Sequence, residues 1–140
     1  MTFARLLTAL AGAALATALS AGPAAAEPVT VPFQINPAPF GNPGGSFDVP
    51  PARCMVVLGT EPGAAIVTGG LDRGWGCLLS SGIRWLNLSS GATGWAQLSN
   101  GLDGIPPAAT LRTGPGQVVL QLDPISGGTT TPGFAAFVVP

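Results

Sequence analysis

Glycine and proline punctuate this chain so closely that helices are nearly excluded. It holds 21 glycines and 15 prolines, and all but Gly12, Gly22 and Pro23 fall after residue 26. Beyond that point no window long enough for a stable helix escapes a breaker or shows a 3.6-residue apolar period. The chain must fold through short extended pieces. The candidate strands are Val29–Ile35, Arg53–Leu58, Ala64–Thr68, Gly76–Leu79, Ile83–Leu88, Thr93–Leu98, Ala109–Thr113, Gln117–Asp123 and Phe134–Val139. Turn-forming segments such as GNPGG, TEPG, NGLDGIPP, TGPGQ and SGGTTTPG lie between them. Short strands at regular spacing predict an all-β fold, a small immunoglobulin-like β-sandwich of about 7–9 antiparallel strands.

The segment that escapes this punctuation is the start. MTFARLLTALAGAALATALSAGPAAA carries one arginine, an apolar run from Leu6 to Leu19, and small residues ending at Ala24 and Ala26. That layout predicts a secretory signal peptide over residues 1–26, cut before Glu27. Residues 27–140 then form a single domain, with no membrane span in the mature chain. Export to an oxidising space predicts that the only two cysteines, Cys54 and Cys77, form a structural disulfide. Their wide separation and turn-rich surroundings do not suit a redox pair.

Strand faces follow from alternation. In QVVLQLD, Val118, Leu120 and Leu122 share one side, which is assigned to the core. Gly114-Pro115-Gly116 suits a type II turn, so Ala109–Thr113 and Gln117–Asp123 are expected to form a hairpin. FAAFVV is apolar on both faces and reads as a central strand or one lying beneath a loop. In WLNLSSGATGWAQL the two loops considered both place Leu86 opposite Trp95 and Trp85 opposite Ala96, putting the indoles on opposite faces. Trp95, beside Leu86 and Leu88, is expected in the core. Trp85, sharing its face with Ile83 and Asn87, is expected at the surface.

The side-chain inventory closes off most chemistry. There is no histidine, so a Ser-His-Asp triad cannot be assembled. No lysine is present either, which removes Ser-Lys hydrolysis and Schiff-base chemistry. A carboxylate pair of the glycosidase kind remains, drawn from Asp72, Asp103 and Asp123, but each sits at a strand end or turn where aspartate bonds its own backbone. A calcium site at Asn100 and Asp103 matches no known loop spacing. No catalytic residue, metal ligand or cofactor is therefore assigned.

After residue 26 the chain carries Arg53, Arg73, Arg84 and Arg112 against six acids, with nothing basic clustered, so no nucleic-acid role is expected. Charged residues make up 8% of the chain, against about a quarter in ordinary domains. So quiet an exterior points to work by contact, with an envelope component, a glycan or other copies of itself. A site is expected around Trp85, Arg84, Trp75 and Arg73, since arginine beside an exposed indole can stack on flat ligands.

Two family resemblances bear on this. IRWLNLSSGATG, ATLRTGPGQVVLQLD and TPGFAAFVVP together resemble small uncharacterised secreted β-sandwich proteins of actinomycete bacteria, over about half of the mature chain. The resemblance implies a fold and an origin, and it brings no catalytic residues across. The succession Trp85, Gly91, Gly94, Trp95 is also similar to bacterial Src-homology-3-like modules, which implies binding of cell-wall peptides. The chain departs from them in lacking tyrosine and in continuing through some forty strand-like residues. The reading is a secreted, non-catalytic binding or structural module, extracellular or associated with the cell envelope. The wall-peptide module and a carboxylate-dependent glycan hydrolase are its alternatives.

Overall fold

The computed structural model describes residues 27–71, 74–123 and 130–140, which form an all-β sandwich of two four-stranded antiparallel sheets. The predicted leader, 1–26, lies outside the described residues. The strands are β1 (Val29–Pro32), β2 (Cys54–Leu58), β3 (Ala64–Gly69), β4 (Gly82–Asn87), β5 (Thr93–Gln97), β6 (Ala108–Arg112), β7 (Gly116–Leu122) and β8 (Gly133–Val139). One sheet has the order β1-β2-β3-β6 and the other β5-β4-β7-β8. Among the described residues no helix is long and apolar enough to cross a membrane.

Alternation builds the core. The inward residues Val56, Val67 and Leu111 of the first sheet meet Ile83, Val118, Leu120, Leu122, Phe137 and Val139 of the second, with Phe33 and Leu98 between them. Each such side chain contributes about 1.5–3 kcal/mol by leaving water. One flank of the sandwich is closed by the chain itself. After β1 pairs with β2, the strand-like segment leaves the first sheet, and Ile35 and Ala38 bridge to Phe134 and Thr131 at the β8 edge of the second. Gln34 reinforces this switch, its Oε1 accepting the Ala136 amide at 2.6 Å.

Eight of the nine expected strands form. The ninth, Gly76–Leu79, is a turn instead. The Leu71 amide bonds back to the Trp75 carbonyl at 2.8 Å, and Gly76 takes a φ of 111° that an extended strand does not use. Cys77 in this turn bonds Cys54 at the start of β2, with Cα atoms 4.7 Å apart. The expected disulfide is therefore present, linking a strand to a loop.

Three expectations about placement are corrected. β6 and β7 do not form a hairpin, because Gly114-Pro115-Gly116 carries the chain from one sheet to the other. The amide of Asn87 on β4 draws that corner in, donating to the carbonyls of Thr113 at 2.9 Å and Pro115 at 3.0 Å. Gly114, with φ 72°, gives the left-handed backbone the corner needs. β8 is not central but an edge strand. Its Ala135, Phe137 and Val139 are buried, while Phe134, Ala136 and Val138 are exposed. Finally, the two indoles do lie on opposite faces, but the core faces are reversed. The β4–β5 register pairs Trp85 with Gly94 and Arg84 with Trp95, two residues away from the expected one. Ile83 and Asn87 are fully buried, Trp85 packs partly buried against the core, and Trp95 is 63% exposed.

Candidate functional site

The outer face of the β5-β4-β7-β8 sheet brings together side chains from four strands. Arg84 pairs across to Trp95 on one side and Gln121 on the other, and Gln121 pairs with Phe134. A single row therefore crosses the whole sheet: Trp95, Arg84, Gln121, Phe134. At a strand spacing of about 4.8 Å its two aromatic ends stand about 14 Å apart. Directly beside it runs a second row, Thr93, Leu86, Val119 and Ala136. Between the rows lies a shallow depression whose lining includes Arg84, Trp85, Leu86, Val119, Gln121 and Phe134.

Local sequence explains how the row is held. Gly82, next but one before Arg84 on β4, leaves room for the Trp95 indole. A Cβ there would stand 3.1 Å from the ring nitrogen and 3.8 Å from Asp123 Oδ2. Asp123, just past the end of β7, organises the polar centre. Its Oδ1 accepts from Arg84 Nη2 at 2.7 Å and from Gln121 Nε2 at 2.8 Å. The hydrogen bond from Arg84, together with the charge of Asp123, raises the guanidinium pKa above its ordinary value. Arg84 is thus cationic at every pH a folded protein meets, and Asp123 offsets its charge locally. The face offers two exposed aromatic surfaces, Trp95 at 63% and Phe134 at 39%, around planar hydrogen-bonding groups.

The residues expected at a site are distributed as follows. Arg84 lies at the centre of the face. Trp85 points inward, its ring so close over Gly94 that a Cβ there would come within 2.4 Å. Trp75, 37% exposed, belongs to the loop between β3 and β4 and lies against Gly101. Arg73 and Asp72 lie outside the described residues. Asp103 sits in the turn Leu102–Gly104 with a φ of 58°. Asn100 Oδ1 accepts the Leu102 amide at 3.1 Å, an ordinary turn contact. Among the described residues no cluster of three metal-ligating side chains occurs.

Sequence reasoning missed Trp95, Gln121 and Phe134 as members of one surface. A signal for Phe134 was present in FAAFVV, since a strand apolar on both sides either lies between layers or presents an apolar face to something else. No protein-family model matches the chain, and no curated protein or solved structure matches it either.

Proposed function

We propose that this protein is exported, with residues 1–26 removed before Glu27, and acts without catalysis as an extracellular or envelope-associated binding module whose working surface is the outer face of the β5-β4-β7-β8 sheet. The observation that carries the reading is Trp95. An indole on the solvent side of a sheet, beside an arginine already held by a carboxylate, adds nothing to the core and is available for contact. The disulfide agrees with an oxidising location. The resemblance to secreted actinomycete proteins supports an extracellular role. The partner is an envelope component, a glycan or another copy of the chain. The side-chain inventory, which lacks imidazole and amine groups, leaves little with which to turn over a substrate.

The test is co-sedimentation of the purified protein with cell envelopes isolated from an actinomycete, with Trp95→Ala alongside. Saturable retention that falls at least about tenfold in the variant is expected. Retention indifferent to Trp95 together with no Trp95-dependent self-association in solution, or efficient turnover of any substrate by the purified protein, overturns the proposal.

A further inference from the structure

We infer that the row Trp95–Arg84–Gln121–Phe134 is a platform for an extended, uncharged polysaccharide lying across the strands; this rests on the contact reading above and names its ligand class. A pyranose ring has an apolar C–H face and a rim of hydroxyl groups that both donate and accept. The row supplies the matching groups in matching order. The aromatic ends, Trp95 and Phe134, offer apolar surface. Between them, Arg84 and Gln121 present planar donors, the Gln121 amide adds a carbonyl acceptor, and Asp123 beside them adds carboxylate oxygens.

Shape narrows the ligand further. Small molecules take enclosed pockets, whereas this surface is an open sheet face with only a shallow depression. Aromatic ends about 14 Å apart, separated by three strand intervals, suit several linked rings rather than one. Charge argues against a polyanion. The lone arginine of the row is neutralised by Asp123, so a polyanion finds no unpaired cation there. An added peptide strand pairs with a sheet edge, not a face.

The test is calorimetric titration of the purified protein with length ladders of β-1,4-glucan, β-1,3-glucan and chitin oligosaccharides. Affinity is expected to rise from the disaccharide to about the tetrasaccharide and then level off for at least one ladder. Trp95→Ala should weaken that binding about tenfold or more. Phe134→Ala should weaken the longer oligomers while sparing the disaccharide. Phe47→Ala, at a fully exposed position outside the sheets, should change nothing. Circular dichroism of each variant verifies folding. The inference is overturned if no ladder binds at millimolar concentration, if affinity is independent of length, or if neither row variant weakens it. Should envelope retention still depend on Trp95 while no oligosaccharide binds, or should the face prove to join two copies in solution, the ligand class is wrong and the contact reading stands. Loss of both sinks both.

Discussion

Replacing Asn87 by leucine tests the corner that joins the two sheets. The side chain is fully buried, and all of its polar capacity is in use. Its Nδ2 faces the carbonyls of Thr113, Gly114 and Pro115 at 2.9, 3.4 and 3.0 Å, while its Oδ1 accepts the amides of Ser89 and Ser90 at 2.9 and 3.1 Å. Leucine has similar volume and makes none of these bonds. The two serine amides lie in an exposed turn and recover water. The carbonyl of buried Thr113 does so less well, and each bond lost to the Thr113 and Pro115 carbonyls costs about 1–1.5 kcal/mol. Adding the looser turn, Asn87→Leu should destabilise by about 3 kcal/mol, a substantial share of the roughly 5–15 kcal/mol of a domain this size. That corresponds to a fall in Tm of about 12 °C. Urea denaturation followed by tryptophan fluorescence measures it. A loss below about 1 kcal/mol with an unchanged m-value refutes the assignment of Asn87 as the corner's organiser. Asn87→Asp separates the two halves of the side chain, since it keeps the acceptor for the serine amides but sets a carboxylate against three carbonyls. The folded-state pKa of that carboxyl should lie above its unfolded value of about 3.9. Its protonated form donates to a carbonyl, so this variant should be most stable at low pH and lose stability as pH rises through the raised pKa.

Four further outcomes follow from the same structure. Reducing the Cys54–Cys77 bond, which spans 23 positions, should lower stability by about 3 kcal/mol from loop entropy, measured by denaturation with and without reductant. Gly94→Ala drives a methyl group into the Trp85 ring, so it should cost about 1–3 kcal/mol and alter the near-ultraviolet circular dichroism. In single-tryptophan variants acrylamide should quench Trp95 most strongly and Trp85 least, and equal quenching contradicts the face assignment. Retention on the partner should change little between 50 and 500 mM salt as orders of magnitude, because Arg84 is already paired; a steep salt dependence points instead to a charged partner.

Much of the sandwich was legible because glycine and proline leave only short strands, and alternation then fixes faces wherever one side is plainly apolar. Val118, Leu120 and Leu122 are the clear case. Around β4 the same rule misleads. Leu86, Leu88 and Trp95 outweigh Ile83, Trp85 and Asn87 in hydrophobicity, so the polar asparagine marks its face as solvent-exposed. What reverses the outcome is not local: Asn87 is satisfied by carbonyls of the β6–β7 corner more than twenty residues away. The hairpin expected at Gly114-Pro115-Gly116 fails for a related reason. Those residues allow a tight reversal and equally a crossing between sheets, and only the pairing of β6 with β3 and of β7 with β4 decides which. Of the residues expected at the site, Arg84 and Trp85 line the depression on this face. Gln121 and Phe134 become neighbours of Arg84 through strand register, which single-strand patterns do not carry.

The two outer faces differ in a way that composition alone does not require. The face of the β1-β2-β3-β6 sheet pairs Thr30 with Val57, Val57 with Ile66, and Ile66 with Thr110. Its two central positions are half-buried and its rim is threonine, together with Arg112, which pairs with Glu61. That is a surface at rest in water. The opposite face exposes Trp95, Leu86, Phe134 and Val138 to solvent, although none of them adds to a core that already fills the space between the sheets. Exposed apolar area of this extent carries a solubility penalty, and it is largest in a chain with so little charge to keep molecules apart. A polar substitution at any of the four would relieve that penalty with no loss of interior packing. Their presence on one face of the sandwich and not the other is therefore not required by folding, which supports the proposed contact role. The polar pair at their centre fits the same requirement, because Arg84 and Asp123 neutralise each other where a ligand's hydroxyls would meet them, leaving direction without net charge.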